Sequence, residues 1–399
     1  MSSILKTGAL IATIKTRGFI PESQNTFKEQ DFLNIATEKI NIGLMREIIT
    51  ARGDYLIYYE DVPLIEGQMA YQIPPRAHGD KLRDLSIVGE DGRVRREMAQ
   101  VSLEDLIDFR YDYQAIGHTT LDPFYLQNNE VVLVNKNFNG GDKLRMFFYM
   151  RPNKLVPEAR AFTANSVNLT IETDNVSPKN GTIVSISDTG AIYSPNHRLI
   201  TGERISITGT DSNPVADGMF TVTYISPDTF SIPVSLITPA TNGSWNLLTE
   251  VVSVTSDNFP KHFVSGILYD IVSNYSPNNI KIYNLKANNI NNTTRVMSFR
   301  TSDVKGKLIN GNYITQAEET IVPNVPTEYH PVIAQMVAVH CMESMADEQA
   351  KRSAENTLEQ MKSDVMSIVQ NRVEGAPKKI KNRHGTLKQS VSRGKYFRR

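Results

Sequence analysis

HPVIAQMVAVHCMESMADEQAKRSAENTLEQMKSDVMSIVQNRVE, residues His330 to Glu374, contains neither glycine nor proline after Pro331. Val332, Ile333, Met336, Val337 and His340 line one helical face, and Ala354, Leu358, Met361, Val365 and Ile368 line another at i, i+4, i+7 spacing. The stretch therefore predicts one long helix, or two helices broken near Asp347–Ser353. The prolines of PNVPTEYHP (323–331) punctuate its start, and Gly375-Ala-Pro377 its end.

Working outward, the other end of the chain is helical too. Phe27 to Ala51 carries Phe32, Ile35, Ala36, Ile40, Leu44 and Ile48 near the helical period. Thr26 stands at the expected N-cap, Glu29 completes a capping box, and Gly53-Asp54 stops the helix. Between Tyr55 and Met150 the period changes to that of strands. YLIYYEDVPL, MAYQIP, LRDLSIV, RVRREMAQV, PFYLQNNEVVLV and KLRMFFYM are rich in Tyr, Val, Ile and Phe. GEDG (89–92) and FNGGD (138–142) are hairpin signals, and Ser102-Leu-Glu-Asp starts a short helix. After a proline-marked boundary at 152–157 comes a charge-poor region of short strands, GTIVSIS, ERISITGT, GMFTVTYIS and DTFSIPV, which predicts a small sandwich or barrel. FPKHFVSGILYDIVSNY (259–275) is amphipathic and expected to be helical, and the Asn-rich stretch 274–311 to be mostly loop.

The expected fold class is α+β: N- and C-terminal helices packed together with an antiparallel β unit, plus an inserted small all-β, sandwich-like domain. The expected division is 1–53, arm and helix; 54–157, β unit; 158–252, inserted β domain; 253–375, helical region; 376–399, basic tail.

At 40% hydrophobic and 22% charged, the chain has enough apolar material for real cores. The N-terminus lacks a long apolar run, and no stretch approaches the roughly 20 apolar residues of a membrane span, so neither a signal peptide nor a membrane protein is expected. Cys341 is the only cysteine, which excludes a disulfide framework within one chain. The net charge of zero hides an asymmetry. Nine of the 43 Lys+Arg lie in Ala376–Arg399, which has no Asp or Glu; removing them leaves 34 against 43 Asp+Glu. The tail interleaves Leu387, Val391, Tyr396 and Phe397 with its cations. That pattern suits a peptide ordering in a groove on an acidic partner, and also contact with nucleic acid.

Catalytic motifs are missing from the sequence: no phosphate-binding glycine loop, nucleophile elbow or His-Glu-x-x-His. His340 and Cys341 are neighbours on a helix and point about 100° apart. The acidic clusters YYED (58–61), LEDLID (103–108) and AEET (317–320) select no carboxylate pair. No enzyme activity, cofactor or metal site is expected.

Three stretches carry a family resemblance: the opening helix leading into ARGDYLIYYEDVPLIEGQMAYQIPPRAHGDKLRDL (51–85), GNYITQAEETIVPNVPTEYHPVIAQMVAVHCMES (311–344), and the end of the last helix, NRVEGAPKKIKNRHGTLK (371–388). In these the chain resembles the head-to-tail connector (adaptor or neck ring) proteins of tailed bacteriophages, with an Asn-rich style similar to crAss-like phages. The resemblance implies a structural virion protein, made in a bacterial cytoplasm. It implies a ring of typically twelve copies beneath the portal protein, extending the DNA channel and meeting tail-side ring, hub or adaptor proteins. It also implies that the C-terminal segment reaches along the portal. The docking or channel residues are then Lys378, Lys379, Lys381, Arg383, Leu387, Lys388, Val391, Arg393, Lys395, Tyr396, Phe397, Arg398 and Arg399. Ring-interface candidates are Tyr329, His330, Met336, Leu358, Met361 and Val365. Extended, the 24-residue tail spans on the order of 75 Å. The competing expectation is a nucleic-acid-binding protein with a basic arm, and a more distant one a tail-associated hydrolase.

Overall fold

The computed structural model describes residues 5–21, 26–51, 53, 55–102, 121–134, 138, 140–275, 279–346 and 348–369. The fold is α+β, with the N- and C-terminal helices packed on each other. Helix α1 (Thr7–Arg17) falls in what the sequence suggested was an arm; it buries Leu10, Ile11 and Ile14 on one face. Helix α2 (Glu29–Glu38) starts three residues after Thr26. The Lys28 N–H donates to the Asp31 carboxylate at 2.8 Å, so Asp31 rather than Glu29 closes the capping interaction. A π-helical turn, Lys39–Leu44, separates α2 from α3 (Met45–Ala51). Gly43 lies in this turn; a Cβ there would stand 3.2 Å from Met336 Cε, so glycine lets the C-terminal helix approach closely.

Seven strands follow: β1 (Ile57–Pro63), β2 (Ala70–Gln72), β3 (Ala77–Val88), β4 (Val94–Gln100), β5 (Leu121–Gln127), β6 (Glu130–Leu133) and β7 (Lys143–Met150). They form one sheet in the order β1-β7-β3-β4-β5-β6-β2. All pairings are antiparallel except β4 with β5, which makes the sheet mixed. In β7 the alternation is complete: Leu144, Met146, Phe148 and Met150 enter the core and their neighbours do not. GEDG closes the β3–β4 hairpin, with Gly89 N–H bonded to Arg93 O. FNGGD does not close a hairpin, because β6 pairs with β5 and β2 while β7 pairs with β1 and β3. The tight turn lies instead at Asn128-Asn129, inside what the sequence suggested was one strand; Asn128 takes a left-handed φ of 54°.

The chain then runs through β8 (Lys154–Leu155), β9 (Phe162–Thr163) and β10 (Ser166–Thr173) into the short strands β11 (Asn180–Thr182), β12 (Ser185–Ile186), β13 (Ala191–Tyr193), β14 (Arg204–Thr208), β15 (Gly218–Thr221), β16 (Thr223–Ser226) and β17 (Thr229–Ser231). Strand β18 (Ser244–Thr255) follows. The sheet β12-β13-β17-β16 and the first half of β18 with β14 enclose a core of their own, built on Ile192, Ile205, Phe230 and Trp245. The boundary expected at 252 falls inside β18, whose second half pairs with β10 and with β22 (Val296–Arg300).

The expected helix at 259–275 is not formed. Pro260 and Gly266 flank turns, and Leu268–Val272 is strand β19, in the sheet β20-β19-β23-β9 with β20 (Ile280–Lys286) and β23 (Tyr313–Gln316). Its alternating faces reach two different cores: Tyr269 and Ile271 point into one with Phe162, Phe263 and Phe299, while Val272 points into the main core. A strand buried on both faces is apolar throughout and mimics a helix segment in sequence. The Asn-rich stretch likewise carries β20, β21 (Asn289–Asn291), β22 and a short helix, α4 (Thr301–Val304). The region expected to be helical from 253 is therefore strand-rich until β24 (Glu319–Thr320), which pairs in parallel with β8 and brings the chain back to its first unit. Helices α5 (His330–Ser344) and α6 (Glu348–Val369) end the described chain; of the two alternatives, a pair of helices forms, broken after Ser344. The helix end expected at Gly375-Ala-Pro377, and the short helix expected to follow Ser102, lie outside the described residues. No described helix is long and apolar enough to cross a membrane.

Candidate functional site

The helical pole gathers the sequence's interface candidates, but it turns them inward. After the break that follows Ser344, α6 folds back along α5, and the stripe Ala354, Leu358, Met361, Val365 closes on the core that α1 and α5 share. Tyr329, His330 and Met336 are buried in that core. Leu358, Met361 and Val365 are half-buried against it. These six side chains thus face the chain's own interior and offer little surface to a neighbouring subunit. Ile368 leaves the stripe and is exposed; Val369 takes its place, 5% exposed. Polar ties hold the arrangement: Arg17 Nη1 donates to Gln335 Oε1 at 2.9 Å, and Lys362 pairs with Glu47 at 3.1 Å.

His330 is 1% exposed, with Nε2 3.3 Å from Val325 O and no partner for Nδ1 among the described residues. Burial pushes its pKa down to about 4, so the ring is neutral at physiological pH. On α5, His340 reaches outward near Glu343 while Cys341 is fully buried, and burial pushes the thiol up to about 11. The two do not form a nucleophile pair.

A polar junction that the sequence did not announce joins the main sheet to the β19 sheet. Arg76, in the turn before β3, is 3% exposed and pairs with the fully buried Asp270 of β19 at 2.8 Å. Asn153 Nδ2 donates to Asp270 Oδ2 at 2.7 Å, and the N–H groups of Glu318 and Asn284 each donate to the same carboxylate at 3.0 Å. Asn153 N–H in turn reaches Asn324 Oδ1 just before α5. The carboxylate thus has its charge and lone pairs met from four chain segments, which makes it a structural lock.

The described acidic clusters are similarly engaged. Asp61 receives both arms of the Arg145 fork at 2.7 and 2.8 Å, and that guanidinium lies 4.3 Å over the Tyr59 ring. Burial raises Glu60, which Tyr283 OH reaches at 3.5 Å, and raises Glu319, which Arg160 meets at 2.8 Å. LEDLID lies outside the described residues. Among the described residues, no three His, Cys, Asp or Glu converge as a metal site.

The docking candidates from Lys378 to Arg399 also lie outside the described residues. What the structure provides is their starting point, since Val369, at the end of α6, is anchored in the main core. Compared with known proteins, the chain matches no family model and no curated sequence.

Proposed function

We propose that this protein is a head-to-tail connector of a tailed bacteriophage. In this reading, copies form a ring beneath the portal, extend the DNA channel toward the tail, and dock through Ala376–Arg399. One observation supports it above others. The opening helices and the stretches 51–85 and 311–344, on which the resemblance rests, are distant in sequence yet build one core. Thr7 N–H bonds Ile321 O at 2.9 Å, and Tyr55 OH reaches Asn324 O at 3.2 Å. Val369, at the end of α6, is anchored in that core, which suits a strap that follows it. Repeated around a ring, weak contacts per strap sum by avidity.

The test is co-assembly with portal rings of the same phage, followed by sedimentation. The full chain is expected to bind, and a chain lacking 376–399 to bind much more weakly. Equal binding of both removes the docking role, and absence of binding by the full chain removes the connector reading. If the isolated peptide 376–399 binds DNA as tightly as the whole chain, with a steep loss in salt, the basic-arm alternative takes its place.

A further inference from the structure

An open cleft of about 610 Å³ lies between β1, β20 and the loop after α4. Its floor includes Tyr58 and Tyr283, packed edge to face at 6.2 Å; Tyr59 also lines it, but its ring lies beside Phe147 and under Arg145. Three lysines line it: Lys281 from β20, and Lys305 and Lys307 from the loop. Asp303 is the single carboxylate in the lining.

The lysines are held for presentation. Val304 and Leu308 are buried in the core beside β19, so the loop DVKGKL is pinned at both ends. Lys305 and Gly306 are both left-handed, at φ 47° and 69°, and this tight turn leaves Lys305 and Lys307 exposed. Lys179, Lys351 and Lys362 each reach a carboxylate elsewhere in the structure. None of the three cleft lysines makes an ion pair among the described residues. Lys281 Nζ donates to Asn312 Oδ1 at 3.5 Å, and burial lowers its pKa. Outside the tail the chain carries more acid than base, so three unpaired cations in one cleft run against its overall charge.

We propose that this cleft binds a nucleic-acid strand, with Lys281, Lys305 and Lys307 on its phosphates and the Tyr58–Tyr283 pair beneath it. Unpaired ammonium groups along a groove with aromatic side chains in its lining are the combination that single strands use. Point charges on a groove recognise the backbone rather than the sequence. The inference goes beyond the connector reading, because it assigns a nucleic-acid contact to the folded body and not to the basic tail. It stands or falls separately from portal binding.

The experiment measures binding of a fluorescein-labelled 20-mer of single-stranded DNA to the full chain by anisotropy across a salt series. Lys305→Gln/Lys307→Gln removes two exposed cations, while the tail stays the same in both proteins. The slope of log K against log salt is expected to fall by about 1.4, two contacts at about 0.7 each. A control pair on other surfaces, Lys154→Gln/Lys261→Gln, is expected to leave it unchanged. An unchanged slope in the cleft variant overturns the proposal, as does an equal fall in the control. Displacement of the oligonucleotide by poly-glutamate of equal charge, as effectively as by unlabelled DNA, also overturns it and points to an acidic peptide.

Discussion

Cutting the Arg76–Asp270 pair is expected to be among the costliest single changes in the molecule. Asp270→Ala removes a fully buried carboxylate and leaves Arg76, 3% exposed, with its charge unmet. It also strands donors on Asn153, Glu318 and Asn284. Breaking one side of a buried pair costs about 3–5 kcal/mol. Arg76→Ala leaves the opposite charge uncompensated but keeps three donors on the carboxylate, which places it near 3 kcal/mol, the low end of that range. The double variant buries neither charge. It retains only the cost of the three orphaned neutral donors, about 3 kcal/mol in total at about 1 kcal/mol each once water enters. The two single costs add to about 6–8 kcal/mol, more than the double cost, with a coupling of about 3 kcal/mol or more. Urea unfolding of the four proteins, followed by circular dichroism and by hydrogen exchange of the β3 and β19 amides, measures the cycle. Additivity within about 0.5 kcal/mol, or a loss below about 1 kcal/mol in Asp270→Ala, would refute the lock.

Stability should fall as pH drops from about 6.5 to 4, because the unfolded chain takes up a proton at His330 that the native core refuses; the loss from this group reaches about 3 kcal/mol by pH 4 and levels off below. His330→Asn should remove that part of the slope in pH-dependent urea midpoints. Trp245, the only tryptophan, is buried and donates to Ser194 Oγ at 2.9 Å, so its fluorescence reports on the core between the two small sheets alone. By that probe Ser194→Ala should cost about 1–3 kcal/mol. Gly190→Ala should cost more than about 1 kcal/mol, since φ is +79° and the new Cβ would lie 2.4 Å from Ile232 O. Cys341 should resist thiol reagents in the native chain and react on denaturation, because it is buried with a raised pKa. Fast native labelling would contradict its placement.

Much of this molecule is written locally. The period of Ala354, Leu358, Met361 and Val365, the alternation of KLRMFFYM and the GEDG turn each specify an element within about ten residues. Backbone geometry alone converts such spacing into a face. The concentration of nine cations in the last 24 residues is likewise a property of the sequence, whatever surface they meet. Tertiary structure decided what each face would cover. FVSGILYDIVSNY looked helical because a strand covered on both sides shows no alternation, and only the meeting of two cores at β19 explains its run of apolar residues. Tyr329, His330 and Met336 looked available to a neighbour until α6 folded back over α5 and enclosed them. Arg76 and Asp270 stand 194 positions apart, and Lys281 joins Lys305 and Lys307 only through the seating of the α4 loop beside β20. No local pattern marks such pairs, because a charge is matched by whatever the packing of distant segments brings to it. In this chain that packing follows from the long insertion between β8 and β24, which leaves the first unit and returns to it through one parallel pairing.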